Sequence, residues 1–124
     1  MASVNPPIEC DLSVLSREQR EQLAALTDRL FPLTDDVREL PDGYALGFTD
    51  APAELLSDAA VFIALDRLCC AFLRHGLTVD PGPGVAWLEL TGGPDAKEAI
   101  ADDIRTRVPD HLAASAGLVP PRAR

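Results

Sequence analysis

The chemistry of this sequence is concentrated in sulfur. Cys69 and Cys70 are adjacent, and Cys10 is the third cysteine of the 124-residue chain. Hydrophobic spacing around the pair predicts a long helix from about Ala53 to His75, closed by Gly76 as a left-handed end residue. Residues three and four apart share a helix face, so Phe62, Leu65, Cys69 and Phe72 form one core-facing stripe. Cys70 then falls about 100° further round, beside Ile63, Asp66, Arg67 and Arg74. Asp66 precedes Cys69 by three residues and Cys70 by four. Arg67 and Arg74 flank Cys70, and a nearby cation favours thiolate over thiol.

Thiolates select soft metal ions. Two adjacent helical thiols diverge, so chelation calls for a third ligand, and Cys10 on an N-terminal arm crossing the helix is the candidate. Cys10, Cys69 and Cys70 are thus the expected metal ligands, with Asp66 and Arg67 beside them. Three thiolates suit Hg(II) or As(III), and His75 or His111 added to them would suit tetrahedral zinc. A homodimer would be a second source of ligands. In an enzyme of carbon–mercury protonolysis or thiol redox chemistry, Asp66 would be the catalytic proton donor. Against both stands simple packing: free cysteine is among the most buried residue types, and Cys69 on its Phe/Leu stripe is core in every case. An interaction domain with structural cysteines would need no more. His75 at a helix C-terminus is read as complementing the helix dipole. A Cys70–His75 nucleophile pairing fits poorly, because five helical residues put the two about 140° apart.

Composition bounds these readings. A hydrophobic fraction of 47% and a mean hydropathy near zero fit one globular domain. Leu, Val, Ile and Ala must fill the core, since aromatic residues are only 5%. The net charge of −9 repels phosphate backbones, and basic residues occur singly among acids, so no nucleic-acid surface is expected. Neither a membrane span nor a signal peptide is legible, so a cytoplasmic chain off the membrane is expected. Adjacent cysteines join each other poorly, and cytosolic thiols stay reduced, so disulfides are not expected.

The elements that must position the thiols follow from periodicity and punctuation. Ser16 with Gln19 makes a capping box for a helix carrying Leu23, Leu26 and Leu30 and stopped by Pro32. Val37–Leu40 and Tyr44–Phe48 flank Pro41-Asp42-Gly43 as a hairpin. Leu77–Asp80 and Val85–Thr91, joined through Pro81-Gly82-Pro83-Gly84, make a second. Trp87 is placed on a sheet face or at a pocket rim. Gly92-Gly93-Pro94 opens a last helix with Ile100, Ile104 and Val108 on its apolar stripe. Glu98, Asp102 and Asp103 read as a solvated acidic face. The expected fold is α+β in the order α-ββ-α-ββ-α, a four-stranded antiparallel sheet with helices packed on one face. Residues 1–108 form the single domain, and 109–124 are expected as a flexible C-terminal tail.

The blocks Leu40–Leu46, Phe62–Leu73 and Trp87–Glu98 also carry a resemblance. They are similar to a group of small bacterial proteins linked with heavy-metal resistance, including mercury. The pattern of that group reads E-x-x-C-C-P-F-hydrophobic, followed by W-L-x-L-T-G-P. The resemblance covers about residues 10 to 105 and implies a metal-related role for Cys69 and Cys70, with Cys10-Asp11-Leu12 matching an N-terminal Cys-x-Leu. Ala71 stands where the group has Pro, which implies an unkinked helix, and Asp66 stands where Glu is common.

Overall fold

A computed structural model of the chain describes residues 10–81 and 84–118. The expectations for Pro6-Pro7, for Gly82 and Pro83 in the second hairpin turn, and for 119–124 lie outside those residues.

Ser16 opens α1 (Arg17–Leu30) with the expected capping box: its hydroxyl accepts the Gln19 N–H, and the Gln19 side chain accepts the Ser16 N–H. Leu23, Leu26 and Leu30 are the buried stripe. Pro32 does not end the helix alone, since Phe31–Leu33 continues as one tight 3-10 turn. Strands β1 (Asp36–Leu40) and β2 (Gly43–Phe48) pair antiparallel, with Gly43 already inside the second strand. Helix α2 (Ala53–Cys69) follows, then β3 (Arg74–Val79), β4 (Ala86–Thr91) and α3 (Pro94–Arg107).

The order α-ββ-α-ββ-α is therefore present, and the four strands form one antiparallel sheet in the order β1-β2-β4-β3. Strands β2 and β4 are central, with Leu46 opposite Leu88 and Tyr44 opposite Leu90. These side chains face the helices, and Leu46, Leu88 and Ile104 are fully buried in one continuous core. Trp87 points to the other face, where the Arg38 guanidinium lies 4.1 Å from its ring centroid. Gly47 opposite it leaves room for the indole, since a Cβ there would come within 2.8 Å of the ring.

Two expectations are corrected. Helix α2 stops at Cys69 rather than His75, because Arg74–Val79 completes a six-residue ladder on β4 from Arg74–Thr91 to Val79–Ala86. The ladder satisfies more backbone than another helical turn would, and it turns the His75 side chain inward while Leu77 is half-buried and Val79 stays exposed. The C-terminal segment is not all tail: Asp110–Ser115 forms α4, which packs on β1 and buries Ala113, with Leu118 buried behind it. Among the described residues, no helix is long and apolar enough to cross a membrane.

Candidate functional site

The end of α2 at Cys69 creates the site. Cys70 leaves helical geometry (φ −108°, ψ 68°), although its N–H still donates to the Asp66 carbonyl at 2.8 Å. Freed from the helix, the Cys70 side chain swings back, and its Sγ lies 3.8 Å from the Cys69 Sγ. The expected divergence of the two sulfurs was a consequence of extending the helix too far.

The N-terminal arm crosses α2 as expected. The Asp11 N–H donates to the Cys69 carbonyl at 2.8 Å, satisfying one of the orphan acceptors at the helix end. The Asp11 carboxylate caps the 3-10 turn Leu12–Val14 by accepting from the Ser13 N–H and hydroxyl, and those bonds hold its carboxyl below the usual range. This arm brings Cys10 to Cys70, and the two form a disulfide. The expectation of three reduced thiols is corrected on this point. Of the two arguments against a disulfide, the geometric one concerned only the vicinal pair, which a partner 60 residues away escapes, and the other rested on an expected cytoplasmic location. Cys10 is exposed, whereas Cys70 is 3% exposed. Cys69 remains a free, buried thiol that donates weakly to the Asp66 carbonyl at 3.5 Å. Burial pushes its thiol up, and the neighbouring Asp66 carboxylate adds to that.

Asp66, expected between the two thiols, lies instead between the Cys70 sulfur and a partner that was not expected, His75. Its Oδ1 lies 3.5 Å from the Cys70 Sγ, and its Oδ2 accepts from the His75 Nε2 at 2.7 Å. Both side chains are shielded, Asp66 at 13% exposure and His75 at 3%. The ligand atoms of Asp66, Cys69 and Cys70 all lie within 4.8 Å of one another, a grouping that could hold a metal ion once the Cys70 sulfur is free of its disulfide.

Two other expectations change here. His75 is not at a helix end; it is the second residue of β3, turned inward, with its ring edge-on to Phe62 at 6.3 Å. The alternation Arg74-His75-Gly76-Leu77-Thr78-Val79 was the signal that would have found it. Arg67 is exposed on the last turn of α2, away from the pairings of Asp66. Asp103 is exposed, as read, and it also stands in the wall of the cleft that contains the sulfurs. Its side chain reaches solvent, yet the crowded walls raise its carboxyl, Arg107 opposes that, and Asp66 adds to it. The turn before α3 is a plain strand-to-helix turn, with Gly93 as cap and Pro94 in the first turn.

The chain matches no family model, no curated protein and no solved structure.

Proposed function

We propose that this chain is a thiol-based soft-metal-binding protein whose site is closed by the Cys10–Cys70 disulfide and opened by its reduction. The observation that carries this is the meeting of three sulfurs at the C-terminus of α2: Cys10 bonded to Cys70, with the Cys69 Sγ 3.8 Å from that of Cys70. Two sulfurs about 2.3 Å from one metal, at tetrahedral or trigonal angles, lie ~3.8–4.0 Å apart. Cys69 and Cys70 are spaced for that without moving. Reduction frees Cys10 as the third thiolate, and Asp66 is the nearest oxygen ligand. Mercury, arsenic and zinc are the candidate cargoes, and a heavy-metal role of the kind the sequence resemblance implies belongs to the same proposal. A cytoplasmic location would supply the reductant.

The test is titration of the reduced protein with Zn(II) and Hg(II), followed by thiolate-to-metal absorbance. Reduced wild type binds one ion, Cys70→Ser, with two thiols left, binds at least about tenfold more weakly, and the oxidised protein, left with Cys69 alone, binds no more tightly than the variant. Equal, weak binding by reduced wild type and Cys70→Ser would sink the reading.

A second reading is supported by one further observation: Cys70 and Asp66 share a cleft, 3.5 Å apart. Thiolates could there hold the metal of an organomercurial while Asp66 delivers a proton to carbon. Release of hydrocarbon by wild type but not by Asp66→Asn would separate that enzyme from a binding protein.

A further inference from the structure

The Cys10–Cys70 disulfide lines a cleft of about 380 Å3 between α1, α2 and α3. Pockets for small organic molecules span roughly 300–1,000 Å3, so a compact molecule fits. The walls are mostly apolar, with Leu23, Ala24, Phe72, Leu73 and Ile100 among them. Two arginines also reach the cleft, but both are engaged. Arg20 donates to the Leu15 carbonyl at 2.8 Å, and Arg107 lies 3.7 Å from the Asp28 carboxylate. Asp66 and Asp103 add acidic groups to a chain whose net charge is already −9. Such a cleft discriminates against anions and in favour of neutral apolar molecules. The sulfur it offers is that of Cys10, because Cys10 is exposed and Cys70 is buried.

We propose that the cleft takes small apolar thiols and that the Cys10–Cys70 disulfide oxidises them. In the first step the substrate thiolate bonds to the Cys10 Sγ. The Cys10–Cys70 bond breaks, and its electron pair leaves on the Cys70 Sγ. A second substrate thiolate then attacks the substrate sulfur of the mixed disulfide, forming the substrate disulfide and expelling Cys10 as thiolate. Two thiols are oxidised and one protein disulfide is reduced, with the two substrate protons ending on Cys10 and Cys70. Asp66 is the charged group beside the leaving sulfur. Its Oδ1 lies 3.5 Å from the departing sulfur, so a carboxylate there opposes a second negative charge unless a proton arrives as the bond breaks. His75, 2.7 Å away on Oδ2, holds that carboxyl group in place. The activity shares its sulfurs with the proposed metal site and requires no metal.

The oxidised full-length chain is mixed with benzyl mercaptan or with anionic mercaptoacetate at equal thiolate concentration. The ratio of the two reduction rates is referred to the same ratio measured on bis(2-hydroxyethyl) disulfide. Burying the benzyl group should raise the protein's ratio at least about tenfold above that reference, with the first adduct mapping to Cys10 by quenched mass spectrometry. Ala24→Trp, which fills the cleft from α1, should return the ratio to the reference, whereas Ala25→Trp, outside the cleft, should not. A wild-type ratio within roughly twofold of the reference, a difference too small for apolar burial, overturns the proposal, as does an Ala24→Trp ratio equal to wild type. Inorganic Hg(II) binding by the reduced Ala24→Trp protein is measured alongside. Its retention with loss of thiol selectivity separates the two activities, and failure of metal binding in wild type leaves the thiol result standing.

Discussion

Two junctions carry the chain from a helix into an edge strand of the same sheet, and they are built from different materials. Between α1 and β1, Phe31 is buried, the Asp35 N–H donates to the Gly47 carbonyl at 2.9 Å, and the Asp35 carboxylate accepts the Thr49 N–H at 2.9 Å. Between α2 and β3, the corresponding positions hold a disulfide, a buried thiol and an Asp–His pair. Phe62 touches both, edge-on to Phe31 at 5.8 Å and to His75 at 6.3 Å. The first junction relies on burial and backbone bonding, which do not change with redox conditions. The second is held by groups whose state depends on electrons and protons. The second junction therefore answers to redox conditions that leave the first unchanged.

Reduction is the largest perturbation expected to separate the two. Cys10 and Cys70 are 60 residues apart, and closing a loop of that length restricts the unfolded chain by about 4 kcal/mol. Cys10→Ser, or reductant with wild type, should lower urea-unfolding stability by up to about that amount, a large share of a small domain's margin. Phe31→Ala should cost about 3–5 kcal/mol through a core cavity, to the same extent with and without reductant. If reduction costs nothing, the second junction is as passive as the first.

The next effect is smaller. Asp66→Asn removes the charged acceptor of the shielded His75 and should cost about 1–3 kcal/mol. Asp35→Asn, at the exposed bond of the first junction, should cost about 0.5–1 kcal/mol. Chemical denaturation of both variants, kept oxidised, compares them directly. Equal losses would mean that the Asp66–His75 pair is no more than another turn bond.

The first junction was the more legible in the sequence, and the reason is physical. Ser16, Gln19 and the Leu23-Leu26-Leu30 stripe are local signals, and local signals decided α1 and its end. The second junction turns on a competition. Phe72, Leu73 and His75 continue the helical pattern of α2, yet pairing with β4 outbids it, and nothing within residues 70–75 announces a partner at Leu90–Thr91. That single boundary hid the convergence of Cys69 with Cys70 and the role of His75. The disulfide was missed for another reason: the approach of Cys10 was expected, but the thiols were read as those of a reduced, cytosolic chain. What was legible was which side chains meet: Cys10, Cys69, Cys70 and Asp66 were all named from type and spacing, whereas Arg67 was named from a helix face that proved to be solvent-exposed.

One defect belongs to the first junction. Thr34 is 3% exposed, and its hydroxyl is the one buried side-chain polar atom without a hydrogen-bond partner among the described residues. An unmatched buried hydroxyl carries its full desolvation cost, and valine has nearly the same shape without it. The Thr34 backbone (φ −59°, ψ 131°) is open to a β-branched residue. Thr34→Val should therefore stabilise the protein by about 1 kcal/mol in thermal unfolding, in either redox state. A loss instead would show that the hydroxyl has a partner and that the first junction, too, carries a polar commitment.

The smallest expected effect is also the most specific to the second junction. Burial and Asp66 raise the Cys69 thiol above its ordinary value, so the folded state disfavours the thiolate relative to the unfolded chain. The sign follows: this contribution to stability is fully present below the unfolded thiol pKa, near 8.5, and is lost as pH rises through the higher folded value. Alkylation should obey the same ordering. In the reduced protein at neutral pH, exposed Cys10 reacts first and Cys69 last, and Cys69 gains reactivity only above the ordinary thiol range. Stability curves of wild type and Cys69→Ala, both oxidised so that only Cys69 titrates among the cysteines, should therefore converge as the solution becomes alkaline. Parallel curves would mean that Cys69 is indifferent to its own ionisation. The short spacing to Cys70 would then be a packing contact, and the second junction would differ from the first by its disulfide and its Asp–His pair alone.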